Sequence, residues 1–484
     1  MEKINGPSLT EQAGMVSIAK LVSVLGTVAA SIILTRALSQ SEYGNYEQVW
    51  LVYNSLVPLF VYGLGSALYF YSARVDLKVV YSASVVLSCL VGLVTGVAML
   101  VFAVPIGVFF NAPQITIYLR IFSFYAILSS PSLLMESVLI TEKKVKLLLL
   151  VNVVVAFLIV ISVSAGAVLL KSMNSIFVLI TIVGFLKSAL LILFLDKRRM
   201  MALAGIGVNL KSQVAYALPV VVSGIVGMIS RQVDKYLVTT NFSSSVYAVY
   251  AIGAKEIPLI AIVTGSASTV LLPKLSELGS KNQIENFIGF WKNSISKTGL
   301  FLLPISFFLF AFAGDFMYFF FGQKYLASAG IFRIFLLMMP LRLAFYSHAL
   351  FSLGKQKLYM YTSIADMFLG GLASYMLMRS FGIEGAALGK VVVTYIEILF
   401  LAWVLISSLR TTVKEFLPWS ILSRVSLISI ICLVPVSLIG IVVQNVYFSF
   451  PLKGIVFAGL FAMIAYLTKL VQITDLKHLK FIVR

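Results

Sequence analysis

Residues 38–46 read LSQSEYGNY and residues 242–250 read FSSSVYAVY, so a pattern of two serines and two tyrosines recurs at a constant offset. A second match follows in the same order, the triplet RIF at 120–122 and again at 333–335. Each triplet opens an apolar run that ends in a basic segment. The two matches together indicate an internal duplication of the chain.

The hydrophobic composition places the chain in a bilayer. Of its 484 residues, 60% are hydrophobic and only 11% are charged, whereas soluble domains have about 45–50% apolar and 25% charged residues. This excludes a soluble enzyme. Apolar runs of membrane-crossing length predict an all-α polytopic membrane protein with fourteen transmembrane helices. The predicted spans are 15–37, 46–71, 79–104, 115–140, 146–170, 175–195, 212–238, 246–272, 288–313, 326–352, 358–378, 383–406, 420–440 and 453–473.

Basic residues in the connecting loops indicate the orientation. Loops on one side contain nineteen Lys or Arg, and loops on the other contain only four, namely Lys171, Lys324, Arg379 and Lys453. Cytoplasmic loops are enriched in Lys and Arg, so both termini are predicted to be cytoplasmic. The first span lacks the features of a cleaved signal peptide and is expected to be retained.

The duplication and the spans together predict three parts. Six helices separate the equivalent segments, and an even number makes the halves parallel repeats about an axis along the membrane normal. Residues 1–210 are predicted to form an N-terminal lobe of helices 1–6, and residues 211–410 a pseudo-symmetric C-terminal lobe of helices 7–12. Residues 411–484 add helices 13 and 14 and a cytoplasmic tail.

Basic residues inside the predicted spans indicate a hydrated, cationic interior. Each would cost about 2.5–3.5 kcal/mol if it faced lipid at mid-span. Only six acidic residues share these depths, so pairing cannot neutralise the set. The basic residues are Lys20, Lys187, Arg231, Lys235, Lys255, Lys297, Arg333, Arg342 and Lys390.

Three carboxylates inside the spans are candidates for ion coupling. Asp234 lies one helical turn from Arg231, so a local ion pair is the competing explanation. Asp366 and Glu397 have no basic partner within a turn on the same face, but cross-helix pairing with a residue such as Lys390 is equally open.

Glycines and prolines of two spans form a candidate hinge set. Local loss of helical hydrogen bonds would permit bending, and close helix packing explains small residues equally well. The candidates are Pro58, Gly63 and Gly65 in the second span, and Pro258 and Gly265 in the eighth.

The chain lacks motifs for other chemistry. It contains no nucleotide-binding Gly-rich loop, no zinc-protease pair and no serine nucleophile elbow. Its two histidines and two cysteines are scattered, so no metal site is predicted. No nucleic-acid partner and no cofactor are expected, and uphill work would draw on a proton or sodium gradient, the membrane potential or product removal.

Five segments carry a family resemblance: ILTRALSQSEYGNYE (33–47), YALPVVVSGIVGMISRQVDKYLVT (216–239), VLLPKLSEL (270–278), FGQKYLASAGIFRIF (321–335) and FGIEGAALGK (381–390). Because these segments occur in this order, the chain resembles the polysaccharide and oligosaccharide flippases of the multidrug/oligosaccharidyl-lipid/polysaccharide exporter superfamily. The resemblance is to the branch that moves O-antigen and capsule repeat units. The resemblance implies two six-helix lobes that open alternately around a cavity lined by helices 1, 2, 7 and 8.

The same resemblance implies a substrate and a setting. The substrate would be a polyprenyl-pyrophosphate-linked oligosaccharide, moved from the cytoplasmic to the outer leaflet of a bacterial plasma (inner) membrane. The product would feed O-antigen, lipopolysaccharide, capsule or exopolysaccharide synthesis, with glycosyltransferases and a polymerase as partners. In the related branch helices 13 and 14 form a groove for the lipid tail.

A pyrophosphate needs cationic ligands, and the buried basic residues supply candidates. In related lipid II flippases such residues lie on the first, second and eighth helices. Here the second helix has no mid-span Lys or Arg, which argues against lipid II as the substrate. The expected ligands of pyrophosphate and sugar are Lys20, Arg231 and Lys255, followed by Arg342, Lys390 and Lys235.

Two other functions stay open. An ion-coupled drug or cation antiporter of the same superfamily would share the lobes, but twelve spans and an acidic cavity are expected of it. A membrane polymerase or ligase of polysaccharide assembly needs a positioned acid, base or metal. The longest outer gaps, near 105–114, 314–325 and 441–452, are too short to hold such a domain.

Overall fold

A computed structural model describes residues 9–72, 74–197 and 206–470. Within these ranges the chain is helical and has no β-strand, which confirms the all-α prediction. The first part of the chain forms α1 Leu9–Ala37, α2 Gln40–Ser72, α3 Leu77–Val101, α4 Ala103–Phe109, α5 Ile115–Ser129, α6 Met135–Thr141, α7 Val145–Ser164 and α8 Met173–Lys197. The second part forms α9 Ile206–Asn241, α10 Ser244–Gly253, α11 Pro258–Ser280, α12 Ile284–Ala311, α13 Ala313–Phe321, α14 Ser328–Leu336, α15 Met339–Arg342, α16 Tyr346–Ser352, α17 Gln356–Leu409, α18 Val413–Phe416, α19 Trp419–Val442 and α20 Val446–Leu467.

The chain divides into two compact units, and the division falls within α9. The first unit comprises Met1–Gln232 and Val238–Ala248, and the second comprises Val233–Leu237 and Val249–Arg484. Each unit has its own helical core. The grouping of helices into lobes of six, six and two stays a prediction.

The described helices include many that suit a membrane. Ten of them are long and apolar enough to cross a bilayer, and the count rises to eleven if the bent pair Ser328–Leu336 and Met339–Ser352 forms one span. Every predicted span falls on helical residues where the structure describes it, although several spans are broken. The protein is therefore a multi-pass membrane protein, and the number fourteen stays a prediction.

Helix α17 combines two predicted spans. Its 54 residues would extend for about 80 Å if straight, against a hydrocarbon core of about 30 Å. Gly382 interrupts it with φ 60° and ψ −144°, a conformation suited to glycine. A Cβ at Gly385 or Gly389 would overlap the backbone of Leu377 or Ser374, so the two arms pack directly against each other. The element is a tight helical hairpin.

The duplicated segment performs the same local task at both of its positions. Ser39 and Glu42 form a capping box at the start of α2, in which the Ser39 N–H donates to the Glu42 carboxylate at 2.8 Å. The Val246 N–H donates to the Ser243 hydroxyl at 3.4 Å at the start of α10. The repeated serine therefore begins a helix in each half of the sequence.

The boundary predicted for the last span was wrong. Asn445 caps α20 by accepting a hydrogen bond from the Tyr447 N–H at 3.0 Å, so the helix begins seven residues before the predicted start at 453. Lys453 consequently lies inside α20 and not in an outer loop. It is buried and forms an ion pair with Asp315 of α13 at 2.6 Å. The aromatic residues before Pro451 are part of the helix, and Pro451 itself lies inside it.

Candidate substrate site

The two spans that carry the matching RIF triplets are both broken. After α5 the chain passes through a 3-10 turn, Ser130–Leu134, into α6. After α14 it passes through α15 and then through Phe345, whose φ is 44°, into α16. Irregular backbone at membrane depth is tolerated where it is buried in protein or lines a cavity, and the turn Ser130–Leu134 is largely buried. Interrupted spans at corresponding positions of two repeats therefore mark a candidate binding site.

The eighth predicted span is broken as well. Helix α10 ends at Gly253, and α11 begins at Pro258 after the extended residue Ile257. Pro258 is thus the first residue of a helix, where its missing N–H costs nothing. Lys255 and Glu256 lie in the break between the two helices.

In the second unit the two breaks meet through a charged contact. Arg342 of α15 forms an ion pair with Glu256, and 37% and 52% of the two side chains are exposed. Lys255 lines the same small cavity, together with Phe332, Phe335 and Met339. Among the described residues that line this cavity, two cations face one carboxylate, so its net charge is positive.

The first unit has a cluster of the same composition at its own broken span. Glu136 of α6 forms an ion pair with Lys20 of α1 at 2.8 Å, and 42% and 59% of these side chains are exposed. Lys187 of α8 lies within electrostatic reach of Glu136. Two basic residues again lie near one carboxylate within the described part of this unit.

The exposure of these pairs determines what they can do. Ion pairs that face water contribute only about 0.2–1 kcal/mol each, so in a water-filled cavity an incoming anion would replace the carboxylate at small cost. Phosphate is such an anion, because it forms strong charge-assisted hydrogen bonds with Lys and Arg. Both clusters can therefore exchange an internal carboxylate for a phosphate group.

A buried ion pair joins the two arms of the α17 hairpin. Lys390 donates to Asp366 at 2.5 Å, and the two side chains are only 9% and 6% exposed. The sequence left a cross-helix partner for Asp366 open, and the structure identifies it as Lys390. Glu397 lies within electrostatic reach of both residues. A buried pair holds its geometry far more firmly than an exposed one, which favours a structural role here.

Asp234 has a tyrosine as its partner. Its Oδ2 atom accepts a hydrogen bond from the Tyr250 hydroxyl at 2.6 Å, and the side chain is buried. Tyr250 belongs to the duplicated segment, so the sequence singled it out as a repeated residue. Its hydrogen bond to Asp234 was not predicted. Arg231, which the sequence offered as a local partner, is exposed. Lys235 is half-exposed.

The hinge candidates differ in their surroundings. A Cβ at Gly63 would meet Val221, and one at Gly65 would meet Ser137. Both glycines are therefore needed for close packing in the first unit. Gly265 has open space around it. Pro58 lies in α2, but its side chain is outside the described side chains.

The second unit contains a second cavity that was not predicted from the sequence. It measures about 290 Å³ and adjoins the first cavity at Arg342. Its walls come from α11, α15, α16 and α17. Arg342 and Glu397 of this lining were candidate site residues in the sequence. The other residues are far apart in the chain and of ordinary types, so no motif marks the cavity.

Comparison with known proteins identifies the family. The family model described as "Polysaccharide biosynthesis protein" matches residues 33–330. The chain belongs to this family. The matched region includes Glu136, Lys187, Lys255 and Glu256 of the two clusters, and the resemblance inferred from the sequence is confirmed. A search of curated proteins gave no significant match.

Solved structures show that this polysaccharide biosynthesis protein shares its fold with membrane transporters. The lipid II flippase MurJ, in an inward closed conformation, superposes with a TM-score of 0.75 at 16% identity over 93% of this chain and 98% of that one. An inward-facing multidrug resistance MATE transporter of the MOP superfamily gives 0.65 at 16% identity over 83% and 100%. An outward-facing MATE transporter gives 0.57 at 15% identity over 84% and 96%.

Proposed function

We propose that this protein is a flippase that moves a polyprenyl-pyrophosphate-linked oligosaccharide from the cytoplasmic to the outer leaflet of a bacterial plasma membrane. The observation that carries the proposal is the cationic cluster at a broken span in each unit. A pyrophosphate on a lipid must cross a region of low dielectric constant, where an unpaired charge is costly. Basic side chains that are accessible at membrane depth compensate that charge.

The proposed phosphate ligands are Lys20, Lys255 and Arg342. Each is accessible, and the carboxylates Glu136 and Glu256 hold two of them ready when no substrate is bound. Arg231 and Lys235 are accessible enough to act as further ligands. Lys390 is proposed instead as a structural residue, because its buried partner Asp366 occupies it.

Movement between the leaflets is proposed to follow alternating access, in which the site opens first to one side of the membrane and then to the other. Transporters with the same fold have been captured facing inward and facing outward. We propose a proton or sodium gradient as the energy source. Asp234 is the preferred coupling carboxylate, because it is buried and its Oδ1 atom has no hydrogen-bond partner among the described residues.

The flippase would act within a polysaccharide assembly pathway. Membership of the polysaccharide biosynthesis family supports a role in O-antigen, capsule or exopolysaccharide production. The upstream partners would be glycosyltransferases that build the lipid-linked repeat unit, and the downstream partner a polymerase. Both termini would lie in the cytoplasm, in accord with the positive-inside rule.

An antiporter of organic cations is the second candidate, because the MATE fold favours it. The net positive charge of both clusters opposes it, since a cationic substrate would be repelled. An enzymatic role as a polymerase or ligase has no comparable support from the fold.

Reconstitution in proteoliposomes tests the proposal. The assay follows the movement of a fluorescent polyprenyl-pyrophosphate sugar between leaflets, for the wild type and for Lys20→Ala, Lys255→Ala and Arg342→Ala. Lys281→Ala is the matched control, because Lys281 forms an exposed pair with Glu277 at the end of α11. The three variants are expected to lose most of the flipping rate and the control to keep it.

Correct folding of each variant is checked by gel filtration and thermal unfolding. If the wild type leaves the lipid in place and exports organic cations, the antiporter replaces the flippase as the function. If all three variants flip as fast as the wild type, the cationic clusters are not the phosphate site.

A further inference from the structure

We infer that the 290 Å³ cavity of the second unit is a subsite for a sugar ring of the lipid-linked substrate. The inference rests on the proposed function and goes further, because it assigns the glycan to its own set of residues. Of the proposed phosphate ligands, this set shares only Arg342. The cavity lies near the lower end of the range of about 300–1,000 Å³ that is typical of small-molecule pockets. Its size suits one sugar ring better than a whole repeat unit.

Three hydroxyl groups of the wall already donate their protons to backbone carbonyls. Ser268 donates its proton to the Thr264 carbonyl at 2.8 Å, and Thr394 donates to the Lys390 carbonyl at 2.9 Å. Thr264 likewise donates to the Ile260 carbonyl at 2.9 Å. Each hydroxyl has one proton and two lone pairs, so Ser268 and Thr394 present acceptor oxygens to a ligand. A ligand that matches them must donate several hydrogen bonds.

Glu397 strengthens this acceptor character. Its carboxylate is half-buried, lines the cavity and can only accept hydrogen bonds when ionised. Carboxylate acceptors form stronger hydrogen bonds than neutral ones. Adjacent hydroxyl groups on a sugar ring donate two bonds in parallel, which suits the two oxygens of a carboxylate.

Aromatic side chains supply the apolar part of the wall. Phe345 and Tyr346 follow the break after α15, and Tyr359 approaches from α17. The C–H faces of a sugar ring are apolar and the ring edge is polar. A cavity that combines aromatic residues with convergent acceptors matches both features.

The position of Arg342 connects the subsite with the phosphate site. Arg342 lines both cavities, with Lys255 and Glu256 in the smaller one and Glu397 in the larger one. A pyrophosphate bound at Arg342 would therefore place the sugar attached to it at the entrance of the larger cavity. The order of the two cavities follows the order of groups in the substrate.

The charged groups around Glu397 are already arranged in pairs. Arg342 pairs with Glu256, and Lys390 pairs with Asp366. Both Lys390 and Asp366 lie within electrostatic reach of the Glu397 carboxylate. A polyhydroxylated ligand adds hydrogen bonds to this wall and no charge.

The test compares two probes on the purified full-length protein in detergent. One is polyprenyl pyrophosphate that carries N-acetylglucosamine, and the other is polyprenyl pyrophosphate without sugar. The wild type is expected to bind the sugar-bearing probe more tightly. Glu397→Gln is expected to weaken that binding by about tenfold, the loss of a charged hydrogen bond, and to leave binding of the sugar-free probe unchanged.

Two further variants complete the test. Ser268→Ala changes the wall with little risk to folding and is expected to show the same selective loss, and Glu285→Gln is the matched control on the exposed start of α12. An equal loss for both probes, or no loss in either wall variant, would overturn the subsite. Equal affinity of the wild type for the two probes would also overturn the sugar subsite, but it would leave the proposed flippase function intact. If the wild type binds neither probe, the proposed function itself fails.

Discussion

Replacing Asp366 by alanine is expected to destabilise the α17 hairpin, because the substitution removes the carboxylate that faces Lys390 in a buried site. Both side chains are less than a tenth exposed, and their charged atoms are 2.5 Å apart. Removing one partner of a buried pair costs about 3–5 kcal/mol. With an unfolding entropy of about 2.1 cal/mol/K per residue, a chain of this length would lose about 3–5 °C in melting temperature.

The assay is thermal unfolding of the purified protein in detergent, followed by tryptophan fluorescence at a fixed heating rate. The double variant Asp366→Leu/Lys390→Met removes both charges and keeps similar volumes, so it is expected to recover most of the lost melting temperature. If Asp366→Ala has the same melting temperature as the wild type but no longer transports, Asp366 couples an ion and the structural interpretation is wrong. If the double variant is no more stable than the single one, packing and not pairing explains the loss.

Three further predictions concern the backbone. Gly382→Ala is expected to cost about 1–3 kcal/mol because an L-residue is strained at a φ of 60°. The control Gly459→Ala, in open helical space on α20, is expected to be neutral or stabilising. The melting temperatures of the two variants test this difference. Gly44→Ala is expected to lower the folded yield, because its Cβ would overlap the Ser244 carbonyl, and gel filtration in detergent measures this. Ser39→Ala removes the capping hydroxyl of α2 and is expected to cost about 1 kcal/mol of stability. The loss should appear as a small fall in melting temperature. An unchanged melting temperature would show that the capping box does not contribute to stability.

The sequence contained much of the architecture. Hydropathy determines helices in a bilayer, because backbone polar groups must be satisfied within each segment. The duplicated serines lie at the starts of α2 and α10, where a serine N-cap is a local signal, but they were interpreted only as a repeat, and the predicted spans began at 46 and 246. The clustering of Lys20 with Glu136 was not predicted, because it depends on how α1 and α6 pack and not on spacing along one helix.

The breaks in the helices limited what could be predicted of the site. Pro258 was interpreted as a kink inside a helix, but α11 begins there, and Lys255 and Glu256 consequently lie outside regular structure. Regular 3.6-residue periodicity cannot place such residues on a face. The pairing of Arg342 with Glu256 spans 86 positions and joins two irregular segments, so only the folded chain reveals it.

The hairpin of α17 also bears on how the chain enters the membrane. A single charged residue at the centre of an inserting helix costs about 2.5–3.5 kcal/mol at the translocon. Lys390 and Asp366 are only 24 residues apart, on consecutive arms, so both are available to pair once the second arm has been synthesised. We expect two arms that enter lipid together to carry this pair already neutralised, so that each charge would help the other helix to partition. A pair that holds the finished protein together would then also serve its biogenesis.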